Sequence, residues 1–334
     1  MKVTMLRRVL AVSCATALAA SMLLTGAGCS KADEGAAPKA TAPESETVQD
    51  GAGITFTDDQ GNQVAVDSHK RVVACMGSFA NTWELAGGTL VGASDDAFDG
   101  YALQSENVQK VGDFTSPNLE AIIALEPDFV IMTGGTGGRG GNSSQTDLKA
   151  ALDASGIPVA YFDVTTFSDY LRMLRTCCDI TGRDDLYQQN GQAVLDETEA
   201  VRAKVPADRA PTVLLMTTYS GGTRVQSSAS MTGAMLADLG CKNLADENRS
   251  LLKDFSLESI IEMNPDFIFV VPMGNDDAAA LKNLEAATAA NPAWATLSAV
   301  EGGNYLTLSK ELFLYKPNAN WAESYRVLFD DLYA

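Results

Sequence analysis

The chain has 334 residues, of which 46% are hydrophobic and 20% charged, a composition typical of a globular protein large enough for two cores. It carries 24 lysines and arginines against 43 aspartates and glutamates, for a formal net charge of −19. Such acidity argues against nucleic acid as a partner and against a polybasic surface that binds membranes.

The first 28 residues have the pattern of an export signal. The basic segment Met1–Arg8 precedes the apolar and small residues of Val9–Leu24, and Cys29 follows directly after Gly28. A short basic segment followed by an apolar one and by small residues is typical of a secretory signal, not of a membrane span. The position of the cysteine resembles the cleavage site of bacterial lipoproteins. This predicts that Cys29 becomes a lipidated N-terminal residue, which holds the protein at the extracytoplasmic face of the cell membrane. The alternative is a secreted protein that is cut near the same place.

Residues 29–51 are predicted to be a flexible tether. They are rich in alanine, proline, serine, threonine and glutamate, with almost no large apolar side chains, so they cannot form a core. A tether behind a lipid anchor would place the folded part of the chain outside the membrane and close to it.

Residues 52–182 alternate between predicted strands and helices. A β-hairpin is predicted over 54–69, a buried strand over 71–76 and a strand-to-helix turn over 77–85. A helix, a strand and a second helix are predicted further on, over 147–155, 158–162 and 167–181. This alternation predicts parallel, doubly wound sheets, which bind ligands at the carboxyl ends of their strands. The glycine-rich residues 134–141 lack the spacing of a phosphate-binding loop, and they are predicted to form a loop at the rim of a cleft.

One stretch of the chain occurs twice. Residues 113–131 read DFTSPNLEAIIALEPDFVI, and residues 254–269 read DFSLESIIEMNPDFIF. The Leu-Glu pair, the Ile-Ile pair and the Pro-Asp-Phe triplet recur at a constant offset, which is 138 residues from Glu120 to Glu258. Each copy has a capping residue, a short helix, a Pro-Asp turn and an apolar β run. The repeat therefore predicts two similar lobes.

Residues 183–205 are predicted to form a helix that joins the lobes. Up to position 204 they contain one glycine and no proline, and their apolar residues recur with a period near that of a helix. Asp184 lies at the start and Arg202 near the end, the sense that the helix dipole favours. At 1.5 Å per residue the helix would be about 30 Å long. It separates an N-terminal α/β lobe, residues 52–182, from a C-terminal α/β lobe, residues 206–334.

Four cysteines remain beyond the signal and the anchor: Cys75, Cys177, Cys178 and Cys241. They have no spacing that indicates a zinc site, and the sole histidine is His69, in the predicted exposed hairpin segment. Buried free thiols are predicted, and a disulfide stays open as the alternative in an exported protein.

Residues 54–334 resemble the substrate-binding lipoproteins of bacterial ABC importers that take up iron–siderophore complexes, haem and cobalamin. The stretches that carry the resemblance are Arg71-Val72-Val73 before a serine-containing turn, both copies of the repeat, Ile180-Thr181-Gly182-Arg183 before the linker helix, and NPAWATLSAVEGGNYLTL at 291–308. The resemblance implies two α/β lobes joined by one long helix, with the ligand in the cleft between them. It also implies a monomer without an intrinsic cofactor, which delivers its ligand to a membrane permease driven by ATPase subunits.

The resemblance assigns a role to the repeated glutamates. In characterised members of the family a glutamate on each lobe docks onto basic residues of the permease, and Glu120 and Glu258 occupy the matching places. Each follows a predicted N-cap, Asn118 or Ser256, and two carboxylates on rigid lobes would suit paired arginines. The alternative is that each glutamate only complements its own helix dipole, which is worth about 0.3–1 kcal/mol.

The ligand is predicted to contact the turns that follow the strands of both lobes, including a turn predicted over 217–224. Aromatic side chains there would stack on a planar or apolar ligand, and cations would meet its carboxylate or catecholate groups. The candidates are Met76, Ser78, Phe79, Trp83, Tyr101 and Arg139 in the first lobe and Tyr219, Arg224, Lys310, Tyr315 and Lys316 in the second. Trp321 is predicted to pack in the core instead.

A site for a bare zinc or manganese ion is not predicted, because such sites need several histidines. The predicted ligand is a preformed chelate. An iron–siderophore complex is the leading candidate, and cobalamin and haem are the alternatives. An enzyme is not predicted, because the sequence lacks a Gly-x-Ser-x-Gly elbow and offers one histidine for a catalytic triad. A surface adhesion protein is the remaining alternative, and it would not need two lobes around a cleft.

Overall fold

The computed structural model describes residues 48–50, 53–135 and 145–334. The export signal, Cys29, most of the tether and Arg139 lie outside the described residues. Within these ranges no helix combines the length and the apolar character needed to cross a membrane.

The described part begins with a small antiparallel sheet of three strands in the order β1-β2-β3. The strands are β1 (Val48–Asp50), β2 (Gly53–Thr57) and β3 (Gln63–Val66). Ile54 and Phe56 alternate with more exposed residues along β2, and the Phe56 ring stacks on Phe162. The buried Asp58 closes the β2–β3 turn by accepting hydrogen bonds from the backbone N–H groups of Gln60 and Asn62. This pairing matches the hairpin that alternation predicts over 54–69.

The N-terminal lobe contains a five-stranded, all-parallel sheet in the order β10-β9-β4-β5-β6. The strands of this lobe are β4 (Val72–Ala74), β5 (Leu90–Ala93), β6 (Gln109–Lys110), β7 (Gly112–Asp113), β8 (Ser116–Pro117), β9 (Phe129–Thr133) and β10 (Val159–Phe162), and β7 pairs with β8 in a separate ribbon. Every residue of β4, β9 and β10 is buried, as expected for strands covered on both faces. The chain leaves β4 toward β5 and later returns on the other side as β9. The β4–β9 boundary is therefore a topological switch point, where open α/β sheets bind ligands.

Five helices cover this sheet: α1 (Gly77–Leu85), α2 (Asp95–Gly100), α3 (Leu119–Ala124), α4 (Lys149–Ala154) and α5 (Phe167–Thr181). The longest, α5, begins with a capping box in which Thr166 and Asp169 exchange side-chain-to-backbone hydrogen bonds. It ends at Gly182, whose φ of 70° is the left-handed conformation that glycine adopts without steric cost. The observed bounds of α5 are those predicted from the sequence.

The two lobes are connected by continuous helical backbone over α6 (Asp184–Tyr187), a π-helical segment (Gln188–Gln192) and α7 (Ala193–Arg202). The joining helix is present, but it is not the regular α-helix that its composition predicts. The π segment directs Asn190 into the N-terminal lobe, where its side-chain amide donates to the Leu85 carbonyl and its own carbonyl accepts from the Tyr170 hydroxyl. These tertiary hydrogen bonds account for the departure from regular α-helical geometry.

The C-terminal lobe contains a second sheet in the order β12-β11-β14-β15, with β13 beside the start of β11. Its strands are β11 (Thr212–Tyr219), β12 (Gly222–Gln226), β13 (Lys242–Asn243), β14 (Phe267–Pro272) and β15 (Tyr305–Thr307). All pairs are parallel except the hairpin of β11 and β12. The segment 217–224, predicted as a turn, is instead the tip of this hairpin, because β11 continues to Tyr219 before the chain reverses.

The helices of the C-terminal lobe are α8 (Met231–Asp238), α9 (Leu244–Glu247), α10 (Leu257–Met263), α11 (Asp277–Ala289), α12 (Ser298–Glu301), α13 (Lys310–Phe313) and α14 (Trp321–Tyr333). The last of them, α14, packs along α7. Its Trp321 ring lies 5.5 Å, centroid to centroid, from Phe167 at the start of α5. One apolar core therefore runs from the first lobe through the connecting helix into the second. The α/β fold of two lobes with parallel sheets, predicted from the sequence, is confirmed.

Candidate binding site

The repeated stretch forms the same structure in both lobes. The helices α3 and α10 begin at N-caps whose side chains accept backbone hydrogen bonds. The Asn118 side chain accepts from the Ala121 N–H, and the Ser256 hydroxyl accepts from the Ser259 N–H. Both caps are those predicted from the sequence. Each helix leads through the Pro-Asp turn into the buried strand β9 or β14.

The aspartate of each Pro-Asp turn binds the start of the central strand of its sheet. The Asp128 carboxylate accepts from the backbone N–H groups of Arg71 at 2.9 Å and Lys70 at 3.0 Å, and from the Ser68 hydroxyl. The Asp266 carboxylate accepts from both the N–H group and the hydroxyl of Thr212, at 2.8 and 2.7 Å. The aspartate in the repeat therefore has a structural function that does not depend on a ligand.

Glu120 and Glu258 both project into solvent from the first turn of their helices. Neither carboxylate makes a hydrogen bond or an ion pair with any residue in the described part of the chain. Since internal contacts do not use them, both are open to an external partner.

The N-terminal lobe forms one wall of the candidate site at the end of β4. Met76 is the N-cap of α1 in an extended conformation, and Ser78 and Phe79 lie in the first helical turn. The turn is tight, because a Cβ atom on Gly77 would come within 2.8 Å of the Ala97 backbone nitrogen. The Gly77 N–H donates to the Asp96 carboxylate at 2.9 Å. These contacts fix α1 at the switch point between β4 and β9.

The C-terminal lobe supplies the other wall through residues 309–320, which follow β15. Asn318 is buried with a φ of 51°, and its side-chain amide donates to the Ser78 carbonyl at 2.9 Å and to Asn81 Oδ1 at 2.8 Å. The Tyr101 hydroxyl of the first lobe donates to the Lys316 carbonyl at 3.1 Å. These hydrogen bonds join the lobes at the carboxyl end of β4.

Lys316 lies at the centre of this junction. Its ammonium nitrogen is 3.7 Å from Met76 Sδ and 5.8 Å from the centroid of the Phe79 ring. Burial lowers the pKa of Lys316, while the charges of Asp96 and Asp163 act in the opposite direction. Burial likewise raises the pKa of both carboxyl groups.

The structure brings six of the predicted ligand residues into one group, which we call the Lys316 cluster: Met76, Ser78, Phe79, Tyr101, Tyr315 and Lys316. Tyr315 enters it through its ring, which lies 6.4 Å from that of Tyr101. The cluster combines aromatic, thioether, hydroxyl and ammonium groups from both lobes.

Other predicted residues lie elsewhere. Trp83 is fully buried, and its Nε1 donates to the Thr89 carbonyl. Its ring packs against those of Phe129 and His69. His69 is half-buried, although the sequence predicts an exposed segment there. Trp321 is buried among aromatic rings, as predicted.

Two predicted groups belong to the C-terminal lobe alone. Arg224 is exposed and lies 5.5 Å from the centroid of the Tyr219 ring across the β11–β12 hairpin. Lys310 pairs with Asp277 at 2.8 Å and donates to the Gly274 carbonyl.

Sequence reasoning missed Asn318, Asp96 and Gln145. The buried Gln145 side chain donates to the carbonyls of Cys75 and Phe114 and accepts from the Thr133 N–H, so it bridges β4 and β9 at the switch point. A signal existed for Asn318, because asparagine after proline and before a helix is typical of a left-handed turn residue. Nothing local marks the other two.

Within the described ranges no group of three or more histidine, cysteine, aspartate or glutamate side chains could hold a metal ion. Cys75, Cys177, Cys178 and Cys241 are buried free thiols. Burial raises the pKa of Cys241 to about 12, which keeps this thiol protonated and unreactive.

Comparison with known proteins shows which family the chain belongs to. Its residues 72–312 match the family described as periplasmic binding protein. The vitamin B12-binding protein of Salmonella typhimurium is 26% identical over 185 residues, which are 55% of this chain and 66% of that protein. The Fe(3+)-citrate-binding protein YfmC of Bacillus subtilis is 23% identical over 254 residues, 74% of this chain and 75% of that protein. The structure of Staphylococcus aureus SirA complexed with staphyloferrin B has a TM-score of 0.63 at 21% identity, covering 84% of this chain and 97% of that one. The match thus spans slightly less than two thirds of the length of the Salmonella protein. The chain belongs to the periplasmic binding protein family.

Proposed function

We propose that this protein is the lipid-anchored, extracytoplasmic substrate-binding protein of an ABC importer and that it captures a metal chelate. An iron–siderophore complex is the leading candidate for this chelate. In this proposal Cys29 carries the lipid, residues 29–51 form the tether, and the N-terminal lobe (52–182), the linker helix (183–205) and the C-terminal lobe (206–334) form the binding unit. The protein acts as a monomer and is not an enzyme. Permease and ATPase subunits carry out the transport.

The observation that carries the proposal is the Lys316 cluster. Both lobes contribute to it, and it lies at a topological switch point, where open α/β sheets bind ligands. Its rings suit the organic part of a chelate, and its ammonium suits an acidic oxygen. Arg224 on Tyr219 would add a second cation from the C-terminal lobe, and Arg139 a third from the N-terminal lobe.

The names of the relatives support a chelate as cargo. One is named for Fe(3+)-citrate and one was crystallised with staphyloferrin B, while the Salmonella relative is named for vitamin B12. The last of these favours cobalamin as the second candidate. Haem is the third, since the cluster contains tyrosine and methionine side chains that can bind haem iron.

Delivery would use the two exposed glutamates. Glu120 and Glu258 stand at equivalent positions of the two lobes, and the shared core fixes the lobes relative to each other. Two carboxylates at a fixed separation can engage two basic groups on a permease at once.

A thermal-shift panel tests the proposed function. The purified protein would be heated alone and with ferric siderophores, haemin, cobalamins or bare metal ions. A ligand at 100 times its Kd stabilises the folded protein by about 2.7 kcal/mol, which is a readily measured shift in Tm. We expect a shift with at least one chelate and none with bare metals. The proposal is wrong if no chelate raises the Tm, or if bare metals do so as well as the chelates.

A further inference from the structure

We propose that Lys316 and Ser78 bind a carboxylate group of the ligand, and that the cargo is therefore an anionic, carboxylate-bearing metal chelate and not a neutral one. This inference rests on the proposed function, because it assigns the chemical class of the ligand for the same site.

Lys316 is a half-buried cation that no carboxylate of the described chain neutralises. Within residues 53–135 and 145–334, every other lysine or arginine that is not exposed makes an ion pair. These pairs join Lys149 to Asp153, Arg172 to Asp59, Arg175 to Asp179, Arg202 to Glu199 and Lys310 to Asp277. Among the residues that the structure describes, no carboxylate oxygen lies within 4.0 Å of the Lys316 nitrogen. Removing a charge from water without a counter-ion costs free energy, so the site favours an anion from outside.

The groups in contact with the Lys316 ammonium are weak partners. A thioether sulfur is a poor hydrogen-bond acceptor, and the Phe79 ring offers only the partial negative charge of its face. Met76 and Phe79 are both buried and exclude water on their side of the ammonium. The ammonium therefore keeps hydrogen-bonding capacity that the protein itself does not use.

Two carboxylates act on Lys316 from farther away. Asp96 accepts from the Gly77 N–H and from the Ser94 hydroxyl. Asp163 accepts through Oδ2 from the Gln60 side-chain amide at 3.0 Å, while its Oδ1 is buried and makes no hydrogen bond within the described residues. Both charges favour a protonated lysine, but neither forms an ion pair with it in the described structure.

Ser78 supplies a second donor in the same cluster. Its hydroxyl is buried and makes no hydrogen bond of good geometry within the described structure, and its contact with the neighbouring Tyr101 hydroxyl is strong enough only to oppose the effect of burial on the pKa of Tyr101. A buried hydroxyl with so weak a partner is costly, and an incoming carboxylate oxygen would remove that cost. Lys316 and Ser78 come from different lobes, and the proposal places one anionic group against both.

The charge of the whole protein makes this local cation important. The formal net charge of −19 repels an anionic ligand at a distance, so an anionic chelate binds only if the cleft supplies its own positive charge. A carboxylate on Lys316 would form a charge-assisted hydrogen bond, which is stronger than one between neutral groups. A neutral chelate would instead cover the Lys316 ammonium without giving it a counter-ion.

Titration calorimetry with two ferric chelates of different charge tests the inference. The probes are ferric citrate, which is anionic and carries carboxylates, and ferrichrome, a neutral ferric hydroxamate; cyanocobalamin serves as a second neutral probe. We expect the full-length protein to prefer ferric citrate. We expect Lys316→Met to weaken ferric citrate about 10- to 100-fold while leaving any neutral-chelate affinity unchanged or higher. Lys242→Met is the matched control, because Lys242 is exposed and lies on β13 beside the start of β11.

The outcomes separate this inference from the proposed function. If the wild-type protein binds no chelate at all, the proposed function itself fails. If it binds a chelate but prefers the neutral ones, or if Lys316→Met binds ferric citrate as tightly as the wild type, only the inference is overturned. Equal weakening toward all chelates would also overturn it, since the lysine would then be structural. Should Lys316→Met fail to fold, Ser78→Ala gives the same test, with a smaller loss confined to the anionic probe.

Discussion

The two lobes are alike in the repeated stretch and different at the carboxyl ends of β4 and β11. In the repeated stretch, α3 and α10 have the same side-chain cap and the same exposed glutamate, and the aspartate that follows each helix binds the start of the central strand. At the carboxyl end of β4 the chain enters α1 and forms the Lys316 cluster. At the carboxyl end of β11 it continues to Tyr219 and folds back as β12, so no helix follows directly.

This difference assigns different tasks to the two regions. The cap and the aspartate of the repeated stretch are bound within their own lobe, and its glutamates, Glu120 and Glu258, are exposed. Lys316 at the carboxyl end of β4 has the opposite properties, because it is half-buried and makes no ion pair within the described residues. We infer that the repeated stretch serves the scaffold and docking, while the carboxyl ends of β4 and β11 determine what is bound.

The largest expected effect comes from removing the strand-binding aspartates. Asp128→Ala should lower the free energy of unfolding by about 1–3 kcal/mol, because it leaves two backbone N–H groups and a hydroxyl without their acceptor. Asp266→Ala should cost less, about 0.5–1.5 kcal/mol, since Asp266 is more exposed and binds one residue. Urea unfolding measures both, and Asp208→Ala, an exposed aspartate without hydrogen bonds in the described structure, should change stability by less than about 0.5 kcal/mol.

The Asp128 effect should also depend on pH. Burial raises the pKa of Asp128, but hydrogen bonds from Ser68, Arg71 and Lys70 outweigh it, and the net pKa is lowered. A carboxyl group whose folded pKa is depressed stabilises the fold fully above its unfolded value, near 3.9, and loses this contribution as pH falls through the folded pKa. The penalty of Asp128→Ala should therefore be constant from pH 7 to about pH 5 and shrink below about pH 3.9. A penalty that grows on acidification would refute this account.

The repeated stretch could be predicted from sequence because its signals are local. Asn118 and Ser256 precede their helices directly, and the Pro-Asp turn lies a few residues from the strand that it introduces. The fully buried strands also follow from short apolar runs. A periodic helix between two repeat copies, likewise, needs no knowledge of distant contacts.

The Lys316 cluster could be predicted only as a list of candidates, because its contacts are distant in sequence. Lys316 meets Met76 across 240 residues, and no spacing encodes that pair. Trp83 and Phe79 have the same local signal and are both buried, yet Phe79 faces Lys316 and Trp83 packs against Phe129, since a strand-to-helix turn does not fix which face a side chain takes. The π segment at Asn190 likewise depends on tertiary partners.

The next effect concerns the hydrogen bonds that join the lobes. Asn318→Gly keeps the left-handed backbone but removes two interlobe hydrogen bonds, and it should cost about 1–2 kcal/mol in urea unfolding. Asn107→Gly is the matched control, because Asn107 has a similar φ of 58° but an exposed side chain, so it should be nearly neutral.

In small-angle scattering we expect the wild type to change little on loading, because the core spans both lobes, and the Asn318 variant to change more. A large compaction of the wild type on loading would contradict the continuous core as the constraint on lobe motion.

The smallest expected effect on folding comes from the exposed glutamates, although their effect on transport should be large. Glu120→Ala and Glu258→Ala should each cost about 0.3–1 kcal/mol, the value of a carboxylate at a helix N-terminus. The double variant should keep the chelate affinity of the wild type and lose uptake in cells. Glu262→Ala is the control, because Glu262 is exposed on the same helix as Glu258 but its counterpart in the repeat is Ala124. Loss of chelate binding in the double variant would refute the division between docking and binding residues, as would an equal loss of uptake in the control. If uptake alone falls, the repeated stretch acts on the transporter through two equivalent carboxylates, one from each lobe.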